Sequence, residues 1–366
     1  MRSLLIVTHI DFWRMGSGHR ARLSALLGYL KDKLEITIVY AGSFTEQDRL
    51  VLKKLYPEVV IDALEEKRNL TYKEYSIKFG LYIKEKVFDA VLVEYIEMSV
   101  VLPFIQPGTI TFLDTHDLVS HRIESFRVNN VPYDGINLTD DEEAEIFNCY
   151  DQVILIQKSD YLKVSTVMEE DRILLVPHHV AFPKKEIRET VTNIGFVASA
   201  YAPNTDAISW FLNQVWPLMH RYNIQFNIFG SVCTTLSPDV LSRSPGVILH
   251  GFVNDVELIY EQCDVMVNPV RCGAGLKIKN VEALGNGLPL ITTSHGAIGM
   301  EDGANTAFLL ADTPAEFEGW MEKLLLDYEF RFQLAEGSYQ YAQQNFSADR
   351  CYTPFLHVID RLNVLK

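Results

Sequence analysis

A chain of 366 residues with a formal charge of −15 is long enough for two domains with separate cores. It is too acidic for a general nucleic-acid binder, which needs a basic surface to displace counterions. Apolar residues at 48% and charged residues at 22% are the balance of a soluble globular protein, which excludes fibrous and disordered classes.

The apolar part of MRSLLIVTHI is too short for a signal peptide, and Ser3–Thr8 reads as a strand. Glu35–Tyr40, Ala90–Val93, Ile110–Leu113, Gln152–Ile156 and Ile173–Val176 are further β-rich runs. Helical patterns such as His19–Lys31 and Asp140–Cys149 lie between them, and the acidic run Asp140–Glu143 reads as a solvated helix start. The longest apolar region, Ala90 to Ile105, is broken by Glu94 and Glu97 and does not span a bilayer. Around Pro183 and Lys184-Lys185-Glu186 the pattern is interrupted, which marks a boundary.

The alternation then restarts. Asn193–Val197 reads as a strand and Asn204–His220 as an amphipathic helix with Asn204 as its N-cap. Strands follow at Ile224–Phe229, Val247–His250, Val265–Asn268 and Leu290–Thr293, and helices run from Pro314 onward, including Thr353–Leu365. Such alternation predicts an α/β fold with parallel sheets covered by helices. The expected architecture is two doubly wound units, 1–185 and 186–345, with a last helix in 346–366 packing back on the first. Ligands in such sheets sit beyond the carboxyl ends of the strands, and the space between two units is a natural pocket.

Five cysteines, Cys149, Cys233, Cys263, Cys272 and Cys351, are odd in number and without metal-ligand spacing. They suit reduced thiols in a cytoplasmic protein. His178 and His179, as neighbours on an extended chain, point to opposite faces and make no metal pair.

One segment carries the chemistry: NPVRCGAGLKIKNVEALGNGLPLITTSHGAIGM, residues 268–300. A strand ends at Pro269 and opens into Gly273-Ala274-Gly275. Lys277, Lys279 and Glu282 follow on the first turns of a helix that stops at Gly285-Asn286-Gly287. The next strand leads into a second loop, Ser294 to Gly299. Glycines let backbone approach a ligand, a helix start favours an anion, and lysines counter a diphosphate. A carboxylate such as Glu282 can accept from the vicinal hydroxyls of a ribose. The bland alternative is a βαβ connection with turn glycines and solvated lysines.

With the restart and this segment in view, the chain resembles GT-B glycosyltransferases, specifically the retaining family four (glycosyl transferases group 1). The phrases that carry the resemblance are PNTDAISWFLNQVWPL at Pro203–Leu218, HGFVNDVELIYEQCDVMVNPV at His250–Val270 and GAGLKIKNVEALGNGLPLITT at Gly273–Thr293. THIDFWRMGSGHR at Thr8–Arg20 and FLDTHDLVSHR at Phe112–Arg122 match more loosely. The resemblance implies two Rossmann-like domains facing across a cleft, and transfer of a hexosyl or related sugar from a nucleotide diphosphate sugar to a hydroxyl acceptor. It implies no metal and no cofactor beyond that co-substrate.

Carried over by position, Glu282 matches the ribose ligand, and Lys277 and Lys279 the basic positions that stabilise the leaving diphosphate. Gly273, Ala274 and Gly275 would offer N–H groups to sugar or phosphate, with His295, Gly296 and Ala297 approaching from the next loop. Phe252 and Val253 match the place of the nucleobase. Gly16, Ser17 and Gly18 match the glycine loop facing the diphosphate, and His116 a position beside the donor sugar. His19 and Asp117 are assigned to the acceptor side, and His9 or His19 would serve as base were the enzyme inverting. Two departures stand out. Where many members carry a Glu-x7-Glu pair, this chain has Ala274 at the first glutamate. The loop Ala198-Ser199-Ala200-Tyr201 lacks the Arg or Lys that often reaches the diphosphate, leaving Lys277 and Lys279 to supply the charge.

Bacterial polysaccharide or glycoconjugate assembly follows from the frequency of that role in the family. The acceptor would be a glycan, lipid-linked or protein hydroxyl, reached in the cytoplasm or at the inner membrane face by peripheral contact. A sugar-nucleotide 2-epimerase of the same fold, or a non-catalytic GT-B subunit that binds a partner, are the alternatives. Oligomeric state is not legible in the sequence.

Overall fold

The computed structural model describes residues 1–65 and 68–361. Its first half runs β1 (Arg2–Thr8), α1 (Gly18–Leu30), β2 (Leu34–Tyr40), α2 (Glu46–Leu55), β3 (Val60–Ala63), α3 (Tyr72–Ile83) and β4 (Ala90–Glu94). After a 3-10 stretch, Ile96–Phe104, come β5 (Ile110–Asp114), α4 (Val119–Val128), α5 (Asp140–Phe147), β6 (Gln152–Leu155), α6 (Lys158–Val164) and β7 (Ile173–Leu175). The seven strands form one parallel sheet in the order β3-β2-β1-β4-β5-β6-β7.

The second half runs β8 (Asn193–Val197), α7 (Ala202–Trp210), a π turn at Phe211–Val215, α8 (Trp216–Met219), β9 (Gln225–Phe229), α9 (Pro238–Ser242), β10 (Val247–Gly251) and α10 (Val256–Gln262). It continues with β11 (Val265–Asn268), α11 (Ile278–Gly285), β12 (Leu290–Thr292), β13 (Leu309–Leu310), α12 (Pro314–Leu326), α13 (Tyr328–Asn345) and α14 (Ala348–Arg361). Its six parallel strands are ordered β10-β9-β8-β11-β12-β13. Both sheets reverse direction of winding beside their first strand, between β1 and β4 and between β8 and β11, where a crevice opens for ligands.

Leu4-Leu5-Ile6-Val7 is buried on both faces, as an interior parallel strand covered by helices requires. β3 and β13 are short edge strands, of four and two residues, and escaped the sequence reading. Among the described residues, four helices start with reciprocal capping boxes, Thr45 with Asp48, Thr71 with Glu74, Thr139 with Glu142 and Thr313 with Glu316.

Two local expectations need correction. The N-cap of α7 is Tyr201, and Asn204 lies inside the first turn with its side chain turned to Ser199 and Lys279. In the acidic run, Glu143 is not solvated. It is buried and accepts from the Val119 and Ser120 N–H groups at 2.7 and 3.2 Å, capping α4.

Phe346 ends α13, and α14 crosses to the first unit. There Cys351, Tyr352, Phe355 and Ile359 are buried with Leu4, Ile6, Leu92 and Phe112, the Phe355 and Phe112 rings 4.8 Å apart. Residues 362–365 of the predicted last helix, and the rest of the segment to 366, lie outside the described residues.

Candidate functional site

The carboxyl ends of the two sheets face each other across a cleft of about 760 Å³, within the range of small-molecule sites. On the first unit, β1 leads to the loop Gly16-Ser17-Gly18 at the start of α1, and β5 leads to His116 and Asp117. On the second, β11 leads to Gly273-Ala274-Gly275 and the start of α11, with Phe252 and Val253 after β10.

The units approach closely. Gly16 (φ +101°) lies beneath the Phe252 ring, where a Cβ would come within 2.8 Å of it. Gly275 (φ +72°) faces the first unit, where a Cβ would come within 2.8 Å of the His116 carbonyl oxygen. Neither position has room for a side chain, and both need the backbone freedom of glycine. Ser125 Oγ on α4 accepts from the Gly273 N–H at 2.9 Å across the same junction.

Five cations line the cleft among the described residues: Arg20, Arg22, Arg122, Lys277 and Lys279. The arginines are paired with carboxylates, Arg20 with Asp11 at 2.6 Å, Arg22 with Asp114 at 2.7 Å and Arg122 with Asp117 at 2.8 Å. Among the described residues the lysines hydrogen-bond only to neutral oxygens. Lys277 donates to the Gly275 carbonyl at 2.8 Å and Lys279 to Asn204 Oδ1 at 2.7 Å. Burial lowers Lys277 to about 8 and Lys279, which also feels Lys277, to about 7. Two desolvated ammonium groups at the start of α11, neither of them hydrogen-bonded to a carboxylate, make an anion site.

Glu282, one turn further along α11, accepts from the buried Tyr260 hydroxyl at 2.7 Å, and burial raises its carboxyl above the usual range. Tyr260 therefore holds that carboxylate in a fixed orientation.

The floor of the first unit is a charged and aromatic network. His116 Nε2 lies 2.6 Å from Glu94 Oε2, both residues being buried. The Tyr95 ring stacks on His116 at 4.1 Å and on His9 at 5.3 Å. Tyr95 (φ +70°) and His116 (φ +60°) hold left-handed backbone, a strain that side chains rarely accept outside functional sites. Burial and the charge of His116 lower His9 and His19 to about 4, so both imidazoles are neutral near pH 7. Glu94, Asp114 and His116 bring ligand atoms within 4.8 Å of one another. Arg22 already balances Asp114 there, so the residues fit an internal ion network better than an open metal site.

The structure thus gathers Gly16, Ser17, Gly18, His19, His116, Asp117, Phe252, Val253, Gly273, Ala274, Gly275, Lys277, Lys279 and Glu282 on one cleft. His295, Gly296 and Ala297 are not on that lining, although His295 bonds the Cys272–Gly273 backbone and is near enough to feel the Lys277 charge. Ala297 is in the core, and the Gly296 carbonyl accepts from Asn280 at 2.9 Å behind α11. Sequence reasoning missed Tyr260, Asn204, Tyr95, Arg22 and Arg122. A polar residue inside an apolar run, such as Arg22 before Leu23 or Tyr260 after Ile259, was the available signal. Cys272 is buried with its thiol raised to about 11, as a filler rather than a nucleophile.

Two parallel, helix-covered sheets with a ligand-sized cleft between their carboxyl ends define the GT-B architecture. Residues 191–327 match the family model for glycosyl transferases group 1. The whole chain superposes on S. aureus TarM with a TM-score of 0.79 at 10% identity, covering 98% of this chain and 99% of TarM. Sucrose-phosphate synthase from Thermosynechococcus elongatus gives 0.72 at 12% identity, covering all of both chains. HepE from Anabaena, solved with UDP and glucose, gives 0.71 at 10% identity, covering 98% of this chain and all of HepE. These likenesses concern the fold. A curated relative, an uncharacterized 44.6 kDa protein in the cps region of Klebsiella pneumoniae, is 21% identical over 222 residues. That match covers 58% of this chain and 56% of the relative, so the chain spans about half the length of the curated protein it matches. The resemblance to GT-B group 1 glycosyltransferases is therefore carried by sequence in the second unit and by fold throughout.

Proposed function

We propose that this protein is a glycosyltransferase that moves a sugar from a nucleotide diphosphate sugar to a hydroxyl acceptor. The observation that carries the reading is the pair of buried lysines at the start of α11 that hydrogen-bond to no carboxylate, one turn before a carboxylate oriented by Tyr260. In this reading the diphosphate lies against Lys277, Lys279 and the α11 N-terminus, with the ribose on Glu282 and the base beside Phe252 and Val253. Gly16, Ser17 and Gly18 cover the diphosphate from the first unit.

The two ammonium groups stabilise the negative charge that grows on the leaving phosphate, so transfer needs no divalent ion. The donor C1–O bond breaks as the acceptor oxygen bonds to C1 on the same face, and the leaving phosphate oxygen takes the acceptor proton. Configuration is retained, and no side chain acts as base. His116 donates or accepts a hydrogen bond at the sugar, and His19 borders the acceptor. The solved HepE complex with UDP and glucose, and the relative from a cps region, support a nucleotide-sugar donor and a place in polysaccharide or glycoconjugate assembly. Among the described residues no helix is long and apolar enough to cross a membrane. A cytoplasmic enzyme that meets a glycan, lipid-linked or protein acceptor at the membrane face by peripheral contact is consistent with that.

Thermal stabilisation screened across nucleotide sugars identifies the donor, because a bound ligand raises stability by mass action. Acceptor-dependent release of free nucleoside diphosphate, undiminished by EDTA, is the expected activity. No stabilisation by any nucleotide or nucleotide sugar would leave a non-catalytic role as the better reading.

A further inference from the structure

Ala274 leaves the 273–275 loop without a carboxylate, and the structure supplies one across the cleft. Asp117, on the turn after β5, faces Gly275 so closely that a Cβ there would lie 3.2 Å from the Asp117 Cβ. The same loop is held by Ser125, which shares a face of α4 with Arg122 three residues before it. Arg122 Nη2 donates to Asp117 Oδ1 at 2.8 Å. Asp117 Oδ2 has no partner among the described residues, and Arg122 Nε is buried without one. Both side chains line the cleft, and the Lys277 ammonium is near enough to feel the Asp117 charge.

We propose that Asp117 and Arg122 together read the hydroxyls of the transferred sugar, doing from the first unit what a carboxylate at position 274 would do from the second. This rests on the glycosyltransferase reading, and it moves Asp117 from the acceptor side to the donor sugar. The free carboxylate oxygen accepts from one hydroxyl while the guanidinium edge donates to its neighbour, which suits a vicinal pair. The ion pair is neutral as a unit, and the carboxylate oxygen not bonded to Arg122 repels a second carboxylate. The sugar it fits is a neutral one with adjacent free hydroxyls, and a uronic acid is disfavoured. Lys277 and Lys279 belong to the second unit and Asp117 and Arg122 to the first, so the donor is held by both its diphosphate and its sugar only when the units are closed on each other.

Calorimetric titration of the full chain with UDP, ADP and GDP, and with their glucose, galactose and mannose conjugates, isolates the sugar's share of affinity as a ratio of two dissociation constants for one base. D117N should keep its affinity for the free nucleoside diphosphate within about twofold while the sugar's share shrinks about tenfold or more. Adding A274E to D117N should return part of that share, because it restores a carboxylate to the loop. A D117N protein with the sugar's share intact overturns the proposal. So does parallel loss of free nucleotide affinity, which marks a structural role, and so does a wild type in which the sugar adds nothing. A wild type that binds none of these ligands overturns the glycosyltransferase reading itself, and this inference with it.

Discussion

Raising the pH should release a nucleoside diphosphate from the cleft, and the two lysines set how steeply. Burial holds Lys279 at about 7 and Lys277 at about 8, so both lose their protons over an accessible range. A diphosphate seated against them restores the charged forms, which are the forms that bind. The lysines are therefore fully charged below about pH 6, and affinity falls as pH rises through 7 and 8. Between pH 7 and 9 the protonated fraction of Lys279 drops from about one half to about 1%, and that of Lys277 from about nine-tenths to about one-tenth. Their product is a loss of about 500-fold, roughly 4 kcal/mol at about 1.4 kcal/mol per decade. The terminal phosphate ionises near pH 6 and is already charged throughout this window. Titration calorimetry with UDP at pH 7, 8 and 9, in buffers of different ionisation enthalpy, also counts protons, and binding at pH 8.5 should take up roughly 1.7. Lys279→Met should weaken binding at pH 7 and leave only about a tenfold dependence on pH, that of Lys277. An affinity flat within about threefold from pH 7 to 9, without proton uptake, would refute the placement of the phosphates on these lysines.

Tyr260→Phe removes the hydroxyl 2.7 Å from Glu282 without changing shape, and UDP affinity should fall about five- to twentyfold by calorimetry while the melting temperature barely moves. Arg22→Met strips the buried Asp114 of its cation and should cost about 3–5 kcal/mol in a denaturant titration, with part recovered in R22M/D114N. His9, His19 and His295 are each held at about 4 in the folded protein, below the ordinary 6.5. The unfolded chain therefore binds their protons first, so stability is present above pH 6.5 and lost as pH falls through about 4, by up to about 3 kcal/mol per histidine. Thermal melts followed by circular dichroism at intervals from pH 7 to 4 should show that loss, and an unchanged midpoint would contradict the burial of these rings.

Interior strands and the α11 segment were readable because their signals are local. β1 and β4 are continuous apolar runs, and Gly273 to Gly287 places glycines, lysines and a carboxylate within fifteen residues. The rest depends on partners distant in sequence. Arg22 meets Asp114 and Ser125 meets Gly273 only because the strand order and the cleft bring them together. Glu143 looked like one more solvated acid because nothing in its neighbourhood announces the α4 N-terminus it caps. Position 204 had the composition of an N-cap, and a tertiary demand, the Lys279 ammonium, claimed its side chain. In the loop assigned to the phosphates by family position, His295 reaches the Cys272–Gly273 backbone and feels Lys277, while Asn280 and the core hold Gly296 and Ala297 back.

The seat of α14 has a consequence for how this molecule is made. Its buried Tyr352, Phe355 and Ile359 complete the core around β1 and β5, which are translated far earlier. The first unit therefore leaves the ribosome with an open apolar groove over Phe112, and it stays unfinished while the whole second unit is synthesised and folds. Residues 348–361 then close it. An early-made half of this protein is expected to be chaperone-bound or aggregation-prone on its own, and to become stable when a peptide spanning that helix is supplied in trans.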